Sequence, residues 1–165
     1  MKDYLQLGID KGLISFNEDK SRIRYNWQKK ERNYNNPEEK VQVLAFLQLI
    51  LDYNYPESRI RQFEPVTMGS EIKEADIVVF DDELCVKPLI LVECKKQEVS
   101  EAEFQQAINQ AYSYAFALPS SYCFIKTSCN GTNAIAAFLP SFHVLGSIQT
   151  LSISSRIAGV NPIKL

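Results

Sequence analysis

Ala75-Asp76-Ile77-Val78-Val79-Phe80 and, after a short polar link, Pro88-Leu89-Ile90-Leu91-Val92-Glu93-Cys94-Lys95 are two apolar runs of strand length with charge at their ends. Unbroken apolar runs of this size are buried-strand compositions, because a strand covered on both faces has no polar side to show. Asp81-Asp82-Glu83 opens the link, which is too short for a helical crossover, so the runs are predicted to pair as an antiparallel hairpin. Side chains alternate along a strand, which turns Glu93 and Lys95 to one face and Cys94 to the other. In such a hairpin the start of the first strand lies beside the end of the second, and Asp76 is set next to Glu93.

Upstream, Val41, Leu44, Ala45, Leu47, Leu49 and Leu51 recur at roughly helical spacing without Gly or Pro, predicting a helix over residues 38–53 opened by Asn36 or Pro37. Asn33-Tyr34-Asn35-Asn36-Pro37 before it is rich in turn formers. Tyr55-Pro56-Glu57 ends the helix, and residues 59–66 form an extended segment leading to the loop Thr67-Met68-Gly69-Ser70. Downstream, Ser100 and Glu103 form a capping box, and Phe104, Ala107, Ile108, Ala111, Tyr112 and Ala115 carry a helical stripe to Leu118, before Pro119. Residues 121–127 predict a strand, Asn130-Gly131 a hairpin turn and residues 134–138 a returning strand. At the front, residues 14–16 and 22–27 predict a hairpin around Asn17-Glu18-Asp19-Lys20, lifting basic residues onto one edge. The opening residues fit neither period, and the segment after Pro140 has no assignment. The fold class is α/β (α+β mixed): a mixed sheet flanked by helices, preceded by a small N-terminal β-hairpin.

A chain of 165 residues with 45% hydrophobic residues suits a single domain. Within it, 1–33 reads as an N-terminal extension with the basic hairpin, 34–140 as the core and 141–165 as a C-terminal extension. Charged residues at 23%, with 6 Gly and 7 Pro, argue against disorder or a repeat array. The four cysteines include no C-x-x-C pair and the single histidine, His143, is far from any of them, which argues against a zinc site. With no leader pattern and no apolar stretch long enough to span a bilayer, a reducing cytoplasm is expected and a membrane partner is not. The net charge of −2 gives no sign of a nucleic-acid binder. Yet Lys20, Arg22, Arg24, Lys29, Lys30 and Arg32 crowd into thirteen residues with Glu31 as the sole acid. Such a run is either a solvated hairpin face or a phosphate-contact surface, with equal weight.

Two carboxylates meeting at a strand end are costly unless something neutralises them, and a hard divalent cation with oxygen ligands does so: Mg2+, with Mn2+ as an alternative. The ion would polarise a phosphate and acidify a water, while Lys95 orients the water or stabilises charge developing on phosphorus. That chemistry is phosphodiester hydrolysis. An E-x-K triplet alone is better explained as a surface ion pair. Here, however, it ends an unbroken apolar strand with a further acid heading the preceding one, and three charges against an apolar sheet call for a partner.

These motifs, in this order, resemble the N-terminal nuclease domain of the R subunit of type I restriction enzymes, within the PD-(D/E)xK nuclease superfamily. Asn36-Pro37-Glu38-Glu39-Lys40-Val41 is similar to that family's N-P-E-E-x-V helix opening, Ala75-Asp76-Ile77-Val78-Val79 to its A-D-I-V-V strand, and Leu91-Val92-Glu93-Cys94-Lys95 to its L-V-E-C-K strand. Gln110 and Tyr114 stand as Q-x-x-x-Y, and Lys126-Thr127-Ser128-Cys129-Asn130-Gly131 resembles the T-N-G turn with two residues inserted. The resemblance spans about residues 33–138. It implies a restriction-endonuclease-like fold in a prokaryotic cytoplasm, with Asp76, Glu93 and the Cys94 backbone carbonyl as metal ligands and Lys95 as the catalytic lysine. It also implies that Glu39 completes the acidic cluster, directly or through water, with Glu38 as the adjacent alternative. A favourable charge in the first helical turn is the plainer role for Glu38. Gln110 and Tyr114, four apart on one helix face, are assigned to the active-site neighbourhood, although the tyrosine also suits plain packing.

The family's R subunits continue into a helicase-like motor, and no G-x-x-x-x-G-K-[ST] loop is present in this chain. Two functions follow. One is a Mg2+-dependent endodeoxyribonuclease on double-stranded DNA, with Lys96 and the basic hairpin Lys20, Arg22, Arg24, Lys29, Lys30 and Arg32 gripping phosphates without reading sequence. The other is a DNA-binding or assembly module that cuts nothing until a helicase motor or specificity subunit joins it. A homodimer is a reasonable hypothesis for cutting both strands, though no heptad or long apolar edge demands it.

Overall fold

The two apolar runs form the centre of a sheet, as their composition requires. The computed structural model describes residues 2–96, 100–118 and 122–126. In chain order the elements are α1 (Tyr4–Asp10), β1 (Ile14–Phe16), β2 (Arg22–Tyr25), β3 (Lys30–Asn33), α2 (Pro37–Leu51), β4 (Ile60–Met68), β5 (Glu71–Phe80), β6 (Pro88–Cys94), α3 (Glu101–Ala117) and β7 (Tyr122–Lys126). The larger sheet has the order β4-β5-β6-β7. β5 and β6 are antiparallel with Ile77 opposite Val92, while β6 and β7 are parallel, a connection that needs a crossover and receives α3.

Alternation along the strands sends apolar side chains to both faces. Ile77, Val79, Ile90 and Val92 join Val41, Phe46 and Leu47 of α2 in one core, and Val78, Phe80 and Leu91 join Ala107, Ile108 and Ala111 of α3 in the other. Each fully buried aliphatic side chain contributes about 1.5–3 kcal/mol, so a sheet covered by helices on both sides is the stable arrangement. α2 begins at the Asn36 cap, whose side chain accepts from the Glu38 N–H at 3.1 Å. α3 begins with the predicted capping box, Ser100 and Glu103 exchanging hydrogen bonds.

The front of the chain departs from expectation in three ways. The opening residues form α1, capped by Asp3 and too short at 7 residues to show a period. Its Gly8 lets α2 approach, since a Cβ there would lie 2.7 Å from Leu47 Cδ2. The expected hairpin of β1 and β2 gains a third strand, β3, whose Lys30-Glu31-Arg32-Asn33 has no apolar residue to announce it. This small sheet is no appendage, because Ile14, Ile23 and Tyr25 belong to the same core cluster as α2 and the central strands. The basic residues also do not share one free edge: those of β2 face outward, while Lys30 and Arg32 turn toward β4. The predicted turn at Asn130-Gly131, the strand over 134–138, the segment 141–165, Cys129 and His143 lie outside the described residues.

Candidate active site

The charged end of β6 meets the middle of β5, because β5 begins at Glu71, four residues before the expected Ala75, and so carries Asp76 inside the strand. Continuing the register Ile77↔Val92 by one residue sets Asp76 across from Glu93. Asp76 Oδ2 accepts the Cys94 N–H at 2.6 Å, which ties the middle of β5 to the end of β6 through a side chain. Lys95 Nζ donates to Glu93 Oε1 at 3.0 Å. Glu93 is 1% exposed and its second oxygen, Oε2, is buried without a hydrogen-bond partner. An orphaned carboxylate oxygen in the interior is rare and destabilising unless something else binds it.

The electrostatics follow from that geometry. Burial pushes the Glu93 carboxyl up to about 8, reinforced by the charge of Asp76, and Lys95 only partly offsets this. Burial raises Asp76 to about 6, against the lowering effect of the Cys94 N–H and of Lys95. For Lys95, burial works downward, but Glu93 and Asp76 outweigh it and its pKa is raised. The pair of acids therefore holds on to protons in the absence of further positive charge.

A cleft of about 290 Å³ opens beside this cluster, between the start of α2 (Asn36, Glu38), the end of β6 (Lys95, Lys96) and α3 (Gln106, Gln110). Glu38 lines it, and its charge raises the pKa of both Asp76 and Glu93. Glu39 is turned into the core instead, its Oε1 accepting from the Tyr25 hydroxyl at 2.5 Å, and burial raises its pKa with Asp76 close enough to add to the effect. Gln110 and Tyr114 share a helix face as predicted: Gln110 Nε2 donates to the Tyr114 hydroxyl at 2.8 Å. Tyr114 is buried in the α3 core and anchors Gln110, which reaches the cleft. Lys96 stands at the rim, 3.2 Å from Glu103, whose carboxyl the Ser100 cap and Lys96 hold down to about 2.

The basic run is largely occupied. Arg22 and Arg24 pair with Glu31 at 3.8 and 3.1 Å, and Arg32 pairs with Glu74 at 3.4 Å. Lys30 Nζ donates to the backbone carbonyls of Gln62 and Phe63. Lys20 and Lys29 are exposed turn residues with φ of +56°. Cys94 points away from the cluster into the α2 core, where burial pushes its thiol far up. Cys85, Cys94 and Cys123 are free thiols.

Sequence reasoning missed Gln42, whose Nε2 donates to the Asp76 carbonyl at 2.9 Å, and Tyr25 behind Glu39. A polar residue buried in an apolar helical stripe was the available signal for the first; nothing local marked the second. Among the described residues no three of His, Cys, Asp or Glu gather closely enough to hold a metal ion by themselves. No described helix is long and apolar enough to cross a membrane.

A mixed sheet with helices on both faces, and an acid pair with a lysine on its two central strands, is a restriction-endonuclease-like fold. Residues 37–138 match the family of the type I restriction enzyme R protein N terminus, and the chain belongs to it. No curated protein matches the chain closely enough to count as a relative. Membership gives the domain a nuclease-related role in restriction.

Proposed function

We propose that this domain is a metal-dependent endonuclease that hydrolyses phosphodiester bonds of double-stranded DNA, with Asp76 and Glu93 as cation ligands and Lys95 as the catalytic lysine. The observation that carries the proposal is Glu93 Oε2, buried and without a partner beside a second carboxylate of raised pKa. The donor set fits a hard ion such as Mg2+, or Mn2+ in its place: two carboxylates, the Cys94 backbone carbonyl and water, with Glu38 at the cleft and Glu39 behind it. Bound there, the ion supplies positive charge to the scissile phosphate and lowers the pKa of a water.

The chain's own residues do the remaining work. Lys95 leans on Glu93 and opens onto the cleft, where its ammonium orients the attacking water or meets charge developing on phosphorus. Gln110, steadied by Tyr114, offers its amide to the nucleic acid backbone. Lys96 at the rim is the nearest phosphate contact, with exposed Lys20 and Lys29 as further cations. Arg22 and Arg24 would have to exchange Glu31 for phosphate. With the hairpin arginines already paired, a helicase-like motor or specificity subunit in the cytoplasm is the partner that delivers DNA.

Cleavage of supercoiled plasmid by the purified protein with Mg2+ or Mn2+ at low salt tests this, beside Asp76→Ala, Lys95→Ala and an EDTA control. Nicking that vanishes in both variants and in EDTA is the expected result. Activity surviving the substitutions would reject the site. Metal binding without cleavage would favour the module that waits for its motor.

A further inference from the structure

Between the pairs Gln62↔Ile77 and Glu64↔Ala75 the β4–β5 ladder would match Phe63 with Asp76, and that pair is missing. Phe63 has a φ of +54°, a conformation bulky L residues hold only where their surroundings impose it. The imposing groups come from β3. Lys30 Nζ donates to the carbonyl of Gln62 at 2.8 Å and of Phe63 at 3.2 Å, pinning the backbone on both sides of the distortion. The Arg32 guanidinium lies 3.7 Å over the Phe63 ring, and the Tyr25 ring meets it edge-on at 6.0 Å. Opposite this break, Asp76 is held by other means: its carbonyl by Gln42 of α2 at 2.9 Å, its carboxylate by the Cys94 N–H at 2.6 Å.

From this juxtaposition we infer that Lys30, Arg32, Phe63 and Gln42 are positioning residues for Asp76. The small N-terminal sheet, which precedes the residues 37–138 shared with the family, locks β4 in a distortion that leaves the Asp76 carboxylate aimed at the end of β6. Lys30 and Arg32 thus act inside the fold rather than on phosphate. The inference rests on the proposed role of Asp76, but its geometry can be read without any metal.

The test is amide hydrogen exchange by NMR on the full chain, comparing Cys94 with Leu91 of the same strand, in wild type, Lys30→Met, Lys30→Arg and Gln42→Met. Losing a hydrogen bond to a charged group speeds local opening by about tenfold or more. The expected result is Cys94 exchange faster by that factor in Lys30→Met and Gln42→Met, with Leu91 unchanged and Lys30→Arg close to wild type. Mn2+ affinity, measured alongside by calorimetry, should weaken by about tenfold or more in the same two variants. Unchanged Cys94 exchange, or Cys94 and Leu91 accelerating together, overturns the inference. Should wild type bind no Mn2+, the metal-site proposal fails while the exchange rates still decide whether the N-terminal sheet positions Asp76.

Discussion

Where mid-β5 meets the end of β6 the fold sets half-buried Asp76 and buried Glu93 beside one lysine and leaves an oxygen without a partner, whereas along β2 and β3 it ties four basic residues to carboxylates or carbonyls. Both regions gather charged residues in the sequence. They differ in compensation: the basic residues have their partners within the chain, whereas Glu93, paired with Lys95 through one oxygen, has none for the other. Uncompensated burial, rather than charge density, is what singles out the acid pair as the candidate site.

Substitutions in the two regions should therefore differ most in activity. Lys95→Ala should lower plasmid cleavage by about 100-fold or more, as loss of a group aimed at developing charge does. Arg24→Ala should leave it within about twofold at matched salt; a large loss there would return the hairpin to the DNA interface.

Next in size is a pH effect centred on the acid pair, where the shifts are large. Asp76 rises from 3.8 to about 6 and Glu93 from 4.5 to about 8, so the folded protein keeps protons that the unfolded chain has already lost. Stability is then greatest below the unfolded values and falls as pH rises through about 6 and about 8. The metal-free Tm should drop between about pH 5 and pH 8, and Mn2+ should restore it by supplying the charge the site lacks. A Tm that climbs across that window would break the comparison.

Smaller still, Tyr25→Phe removes the hydroxyl from buried Glu39 and should cost about 1–3 kcal/mol in chemical denaturation. Smallest, Arg24→Ala should change stability by less than about 1 kcal/mol, because its partner Glu31 is solvated.

The contrast also explains what the sequence could and could not say. β5, β6, α2 and α3 were legible because each satisfies a local rule: an unbroken apolar run, a helical stripe, or a cap three residues from its acid. Asp76, Glu93 and Lys95 were legible for the same reason, since alternation and hairpin pairing bring them together. β3 was not, because Lys30 and Arg32 earn their place through contacts with Phe63 more than thirty residues away. The same holds for Gln42 and Tyr25, whose partners are fixed only once α2 lies on the sheet. The assignment of Glu38 and Glu39 depended on helix phase to within one residue, which apolar spacing alone does not resolve.

The most direct measurement is calorimetric titration of Mn2+ into wild type, Asp76→Ala and Glu93→Gln at neutral pH. Saturable binding by wild type that weakens by about tenfold or more in both variants is the predicted result. Absence of binding by wild type, or equal binding by all three proteins, would contradict the claim that the Asp76–Glu93 pair is a cation site.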